Sequence, residues 1–403
     1  MRKPSEADTE VIVAGHICLD IIPNLKGNGL DALLIPGKLV NVGAAITATG
    51  GTVANTGVAL HRLGLQTKLM GKVGNDLFGR AIVDELKRNG QGLDEGMIVC
   101  EGEQSSYSIV ISPEGEDRIF LHCPGANDTF VADDVSLEEL GSARLFHFGY
   151  PPLMQRMYEN EGSELESLLS RVKQSGLTTS LDMSRPDPAS PAGQVDWKQL
   201  LARILPHVDI FLPSLEEILF MLDRERYDQW TLEGDLLDQV NEALLADLAK
   251  QLLDLGAAIV AIKLGDKGLY VRTTDDIAKI SDIGRCALTA PESWVSRELT
   301  VPCFEVKVAG TTGAGDCTIA GFLSGLLHGM SVEESMVAAV GVGACNVEAV
   351  DATSGIPSWN KLQERIAGGW KHLPASLPLP GWVRLGSSAI WAGPRDSLNQ
   401  QGG

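Results

Sequence analysis

No stretch of about 18 consecutive apolar residues occurs in this chain of 403 residues, which excludes a membrane-spanning helix. No Cys-x-x-Cys pair occurs either. The seven cysteines (Cys18, Cys100, Cys123, Cys286, Cys303, Cys317 and Cys345) are odd in number and scattered. That argues against a disulfide framework or a zinc site and points to reduced, buried thiols of a cytosolic protein. Positive charge is scarce. A formal net charge of −20 argues against non-specific nucleic-acid binding and against anionic membranes. It leaves a nucleotide ligand open, because screening acts over about 8 Å at physiological salt and the groups lining a pocket outweigh distant surface carboxylates. Aromatic residues make up only 5% of the chain, so few side chains can stack on a base. The segment Met1–Glu10 is polar and lacks the apolar core of a signal peptide, so a cytoplasmic location is expected.

A hydrophobic content of 44% over this length can bury a large core. Strand patterns at Val11–Ala14, Leu145–Phe148, Thr178–Leu181, Asp209–Leu212 and Ile259–Lys263 alternate with helical patterns near 163–174, 214–222, 241–254 and 313–328. This beat predicts an α/β fold, a mostly parallel sheet covered by helices on both faces. Residues 18–47 mix apolar residues with Pro, Gly and Asn, which suits irregular strands or a flap. Tyr107–Ile111 and Arg118–His122 read as two strands joined by a turn-rich hairpin. The acidic stretch 223–240 reads as a turn-like surface excursion. The Pro-, Gly- and Ser-rich run beyond Trp370 reads as a tail, draped over the surface or disordered.

The run Val308 to Thr318, Val-Ala-Gly-Thr-Thr-Gly-Ala-Gly-Asp-Cys-Thr, carries the clearest chemistry. A β-rich stretch enters it, and a helix pattern of small and apolar residues (Ile319, Ala320, Leu323) leaves it. Such a corner presents the backbone N–H groups of Gly313, Ala314 and Gly315 to one point at the positive end of a helix dipole, a nest for an anion such as a phosphate. Asp316, inside the same turn, repels an anion. Its presence suggests a base that takes a proton from whatever attacks the phosphate. No Gly-Lys-Ser/Thr follows, so this is not a Walker A loop, and the spacing fails the dinucleotide fingerprint. The plainer alternative is a glycine-rich corner with an acidic cap.

The run resembles the Asp-Thr-x-Gly-Ala-Gly-Asp signature of ribokinase-like, PfkB-type carbohydrate kinases. Further segments match that family in order: Gly15 to Asp20, Gly50-Gly51-Thr-Val-Ala-Asn55, Gly71 to Gly79, Gly125-Ala126-Asn127, Ser214-Leu-Glu-Glu217 and Lys263-Leu-Gly265-Asp-Lys-Gly268. The resemblance implies a three-layer αβα kinase domain over about 10–370, with a small β-lid from about 18–47 and 100–124, and a separate tail at 371–403. It also implies ATP-dependent phosphorylation of a hydroxyl group on a small sugar. On the family's pattern Asp316 is the base and Gly313, Ala314 and Gly315 form the anion hole. Asp20, Gly50, Gly51, Asn55 and Arg185 hold the acceptor. Lys263, Gly265, Gly268, Thr311 and Asn346 hold the nucleotide, and Glu217 holds Mg2+ through water. Pairing of lids implies a homodimer.

Each match also has a structural reading. Asp20 could be a solvated loop aspartate, Glu217 a helix-dipole carboxylate, Lys263 a structural lysine at a strand end, and Arg185 a surface arginine in a proline-rich turn. Three residues depart from the family. Gly310 replaces the leading aspartate that in relatives helps hold an activating monovalent cation, so potassium activation does not carry over. Thr318 replaces a usual aromatic, and Ser214 replaces asparagine. A nucleoside acceptor would want aromatic stacking in the lid, for which Tyr107 and Phe120 are the few candidates. A phosphosugar would want more cations than Arg118 and Arg185. A non-catalytic sugar-binding regulator on the same fold is the alternative from outside the enzymes; the retained Asp316 argues against it.

Overall fold

The computed structural model describes residues 9–27, 29–33, 35–113, 119–377 and 380–400. The strands in chain order are β1 (Val11–Gly15), β2 (Cys18–Pro23), β3 (Ala45–Gly50), β4 (Thr67–Met70), β5 (Lys72–Gly74), β6 (Ile98–Cys100), β7 (Tyr107–Ile111) and β8 (Ile119–Cys123). They continue with β9 (Leu145–Gly149), β10 (Thr178–Asp182), β11 (Ile210–Phe211), β12 (Ile259–Lys263), β13 (Leu269–Thr273), β14 (Glu298–Val301), β15 (Val383–Arg384) and β16 (Trp391–Ala392).

Val-Ile-Val-Ala-Gly of β1 is buried throughout, as a parallel strand covered on both faces must be. Its side chains alternate between two cores: Val11 and Val13 join one, Ile12 and Ala14 the other. The main sheet runs β15-β16-β14-β13-β12-β11-β10-β9-β1-β4, with the strands from β12 to β4 parallel and the rest antiparallel. Helices cover it, so the fold is α/β. The chain leaves β1 toward β4 on one side and resumes at β9 on the other. Such a topological switch opens a crevice at the carboxyl ends of the strands, where ligands bind in open α/β sheets. Register aligns the ends there: Gly15 faces Gly149, Gly149 faces Asp182, and Ser214 bridges to Lys263. Among the described residues, no helix is long and apolar enough to cross a membrane.

A separate four-stranded sheet, β3-β2-β7-β8, stands beside this crevice. β1 runs almost directly into β2, so the wall of the crevice and the small sheet share one stretch of chain. Arg118 and the hairpin turn at 114–117 lie outside the described residues. Gly265 and Gly268, at φ 56 and 104, turn β12 back on β13 in the left-handed region that glycine tolerates.

Two expectations need correction. The stretch 223–240 is largely helical (Arg224–Glu233 and Leu236–Gln239). Asp223 caps the first helix, and Tyr227 packs edge-on against Phe220 at 5.2 Å. The region beyond Trp370 is not simply draped: β16 pairs with β14, and β15 with β16. An uncovered edge at β14 would expose a row of ladder groups, and the added strands close it. Asp396 anchors them. It is fully buried, accepts from Glu298 N–H at 2.9 Å, and pairs with the buried Arg297 at 3.0 Å. Removing one partner of a buried pair strands the other charge, so Asp396→Ala should destabilise the fold by about 3 kcal/mol, with Glu333 retaining part of the Arg297 charge. Chemical denaturation checks this; a loss below about 1 kcal/mol would mean that the added strands are not integral to the sheet.

Candidate active site

The glycine-rich corner leads into the helix Ala314–Leu327, with Gly313 as N-cap at φ 74, a left-handed conformation costly for other residues. Asp316 lies in the first turn and is only 2% exposed. Three donors fix its carboxylate. Asn55 Nδ2 reaches Oδ2 at 3.0 Å, Tyr150 O–H reaches the same oxygen at 2.8 Å, and Thr56 Oγ1 reaches Oδ1 at 3.1 Å. Burial pushes the Asp316 pKa up. The Asn55 bond, the Lys263 charge and the Tyr150 and Thr56 bonds oppose this without cancelling it, so the net shift is upward.

The donors arrive from separate elements. Asn55 and Thr56 lie on the helix Thr52–Arg62, which can sit close over the end of β9 because Gly149 has no Cβ to overlap Thr52. Tyr150 is the first residue after β9 and adopts a left-handed φ of 66. Strain of this kind in a non-glycine residue persists only where the surroundings enforce it, and it concentrates at functional sites.

A second group of charges lies beside the turn. Lys263, at the end of β12, donates to Asp182 Oδ1, at the end of β10, over 2.6 Å, and both side chains are nearly buried. Glu217 closes a capping box with Ser214, accepting from its N–H at 2.6 Å. Burial lifts the pKa of Asp182 well above the ordinary range and also raises Glu217, while the Lys263 charge pulls both down. Burial alone would lower Lys263; Asp182, Glu217 and Asp316 overcome that and hold it up. The second oxygen of Asp182 is buried without a partner.

A cavity of about 380 Å³ adjoins this group and brings together Lys263, Gly265, Gly268, Thr311, Ala314 and Gly315. A Cβ on Gly315 would stand 3.7 Å from Lys263 Nζ, so the lysine and the turn share one wall. Asn346 does not line this cavity. Its amide holds the Thr312 and Ala352 carbonyls at 3.0 and 2.6 Å and so braces the turn from behind. Glycines 50 and 51 bring Asp20 close to the same crevice: a Cβ on Gly50 would overlap the Asp20 carboxylate. Arg185 lies apart, half exposed. It reaches Glu216 and the Tyr227 hydroxyl, each at 3.4 Å, and lines a wider groove of about 1110 Å³ with Tyr107, Phe120 and His122.

Sequence reasoning missed Asn55, Thr56 and Tyr150 as partners of Asp316, since it placed Asn55 only on the acceptor, and it missed the pairing of Asp182 with Lys263. Asp182 and Tyr150 each carried a signal, since each stands at the end of a buried strand at the ligand-binding edge. Thr56 directly follows Asn55.

The model of the pfkB family carbohydrate kinases matches residues 8–359. A protein of Archaeoglobus fulgidus named an uncharacterized sugar kinase is 30% identical over 300 residues, 74% of this chain and 98% of that protein. Probable fructokinase-4 of Arabidopsis thaliana is 25% identical over 375 residues, 90% of this chain and 99% of the relative. Among solved structures, a putative ribokinase II from E. coli in complex with ATP and Mg2+ superposes with a TM-score of 0.63 at 19% identity, covering 89% of this chain and 99% of that one.

Lys263→Met tests the buried charge group. Without the ammonium, Asp182 and Glu217 would hold their protons to higher pH in the fold than in the unfolded chain, where they ionise near 3.8 and 4.5. The unfolded state then loses protons first as pH rises, so the stability deficit should be small near pH 4 and grow to about 3 kcal/mol at neutral pH. Denaturation curves at both pH values measure it; a deficit that is flat or shrinks with rising pH contradicts the assignment.

Proposed function

Because the chain belongs to the pfkB family of carbohydrate kinases and is thus a phosphotransferase with an alcohol acceptor, we propose that it transfers the γ-phosphate of ATP to a hydroxyl group of a small sugar or sugar-like compound, with Asp316 as base. The observation that carries this reading is the buried Asp316 carboxylate, pinned by Asn55, Thr56 and Tyr150 in the first turn after a glycine-rich corner.

Phosphoryl transfer needs positioning and charge neutralisation more than covalent chemistry. Asp316 orients the attacking hydroxyl and accepts its proton. The raised pKa makes it a better base than an exposed aspartate, and activity should rise with pH as it ionises. Backbone N–H groups of Gly313 and Gly315 stabilise charge on the transferred group, and that of Ala314, which donates to the Thr311 carbonyl at 3.3 Å, joins them only by leaving that bond; donors of this kind are worth roughly 3–4 kcal/mol each. Thr311, Gly265 and Gly268 line the nucleotide cavity, with Lys263 at the phosphate end. Asp20 and Asn55 hold the acceptor beside Gly50 and Gly51, and Arg185 contributes at the rim of the wider groove.

The unpartnered oxygen of Asp182 and the raised Glu217 carboxylate suit a hydrated divalent cation, with Glu217 reaching it through water. Magnesium there would neutralise the nucleotide phosphates. Gly310 offers no carboxylate for a monovalent cation, so turnover is proposed not to need potassium. The small sheet acts as a lid. Its exposed apolar residues, Ile46 at 62% and Phe120 at 53%, support pairing with the lid of a second copy. Seven free cysteines suit a reducing, cytoplasmic compartment.

An ATP-consumption screen with magnesium, with and without potassium, against hexoses, pentoses, sugar acids and nucleosides tests the reading, beginning with fructose. Asp316→Asn should lower kcat by at least about 100-fold while ATP still binds. Turnover surviving within about tenfold would remove the base assignment. Phe120→Glu should convert a dimer to a monomer in sedimentation equilibrium; a wild-type protein already monomeric at micromolar concentration rules out lid pairing.

A further inference from the structure

His16 has two buried ring nitrogens that the fold leaves unsatisfied. The residue is 2% exposed, and neither Nδ1 nor Nε2 has a hydrogen-bond partner. Most buried side-chain polar atoms are partnered, so an imidazole open at both nitrogens calls for an explanation. This protein can satisfy a buried histidine: His147 meets Thr52 Oγ1 at 3.3 Å and Ser180 Oγ at 3.0 Å. His16 is treated differently, and its location suggests why.

It is the first residue after β1, on the short link to β2 and Asp20. Its ring lies 5.2 Å from that of His122, which lines the wider groove, and 6.1 Å from that of Tyr150, whose hydroxyl donates to Asp316. The glycine pair gives a third bearing. A Cβ on Gly51 would meet the His16 backbone oxygen at 2.5 Å and its Nδ1 at 2.6 Å, while one on Gly50 would overlap Asp20. The two consecutive glycines therefore leave room for two side chains, Asp20 and His16.

We propose that His16 is a specificity-determining residue of the acceptor site, hydrogen-bonding a hydroxyl group of a neutral polyhydroxy substrate beside Asp20. This rests on the kinase reading above. Burial, aided by His122, keeps the ring neutral, so it offers one N–H donor and one acceptor nitrogen. That pairing matches a hydroxyl, which both donates and accepts, better than it matches a carboxylate or phosphate, which only accepts. Among the described residues, the arginine that lines the groove, Arg185, is engaged with Glu216, so a sugar acid finds less compensation there than a neutral sugar.

The test is steady-state kinetics of the wild type, His16→Leu and His16→Gln with D-fructose, D-ribose, myo-inositol and D-gluconate. For the best neutral acceptor, KM should rise about 10-fold to 100-fold in His16→Leu, with the KM for ATP within about twofold and partial recovery in His16→Gln. Among deoxy analogues of that acceptor, one should be penalised in the wild type and not in His16→Leu, a readout that a purely structural role would not move. Unchanged acceptor KM in His16→Leu, or deoxy penalties identical in both proteins, overturns the His16 assignment and leaves the kinase reading standing. A wild type that turns over none of the wider acceptor panel overturns both. Should His16→Leu fail to fold, histidine 15N NMR of the wild type decides: the acceptor must shift the His16 ring nitrogens, and no shift rejects the proposal.

Discussion

One ammonium group, that of Lys263, faces three carboxylates, the buried Asp182 and Asp316 and the partly buried Glu217, and the carboxyl edge of the sheet is organised around that imbalance. Asp182 takes the ammonium directly at 2.6 Å, while Glu217 and Asp316 act on it through space. Taking charges out of water is expensive and is offset only by close partners and hydrogen bonds. The compensation here is incomplete: all three acids are pushed toward their neutral forms, and one Asp182 oxygen has no partner. The group borders the cavity lined by Gly315, where no Cβ intervenes. A bare polyanion entering there would add to the excess of negative charge. A polyanion arriving with a divalent cation would relieve it. In the proposed reaction, the site is therefore matched to a metal–nucleotide complex rather than to a free nucleotide.

Close backbone approach is the second constraint, and it follows from the first, because buried acids need donors brought to them. Gly149 lets the helix Thr52–Arg62 sit over β9, which delivers Asn55 and Thr56 to Asp316. Gly50 and Gly51 let β3 pass against Asp20 and His16. Since β1 continues almost at once into β2, the wall of the proposed acceptor site and the small sheet are mechanically linked. A substrate held by the first would engage the second.

Much of this was legible in the sequence because it is written locally. The alternation of buried runs and helical periods gives the α/β sheet, and the glycine corner before Ala314 identifies itself by composition. Asn55 and Asp316 each stand out because they sit in short ordered motifs, although their contact across 261 residues does not. What stayed hidden depends on distant packing. Lys263 and Asp182 are separated by 81 residues, and only parallel register puts their strand ends together. Tyr150 is placed at the ligand-binding edge by its strand, but the left-handed backbone that turns it into the site is announced by no side-chain pattern. The strands after residue 380 are two residues each, too short for periodicity, and their anchor pairs Asp396 with Arg297 across 99 residues. Arg185 follows the right strand, yet Glu216 and Tyr227 hold it outside the crevice. The helix Arg224–Glu233 is polar on most faces, so its sequence reads like a loop.

Asp316 shows how a carboxylate can be both fixed and available. An ionised carboxylate has about four lone-pair positions. Oδ2 receives Asn55 and Tyr150, which fills its two, while Oδ1 receives Thr56 and keeps one. The donors lower its basicity, burial raises it, and burial prevails. A base held less firmly would be no stronger in water and would lose its aim. When phosphoryl transfer runs through a loose transition state, the attacking oxygen needs direction more than early proton removal. Three donors from two parts of the chain leave the carboxylate one open position, on Oδ1, and that position is where the proposed acceptor hydroxyl has to arrive.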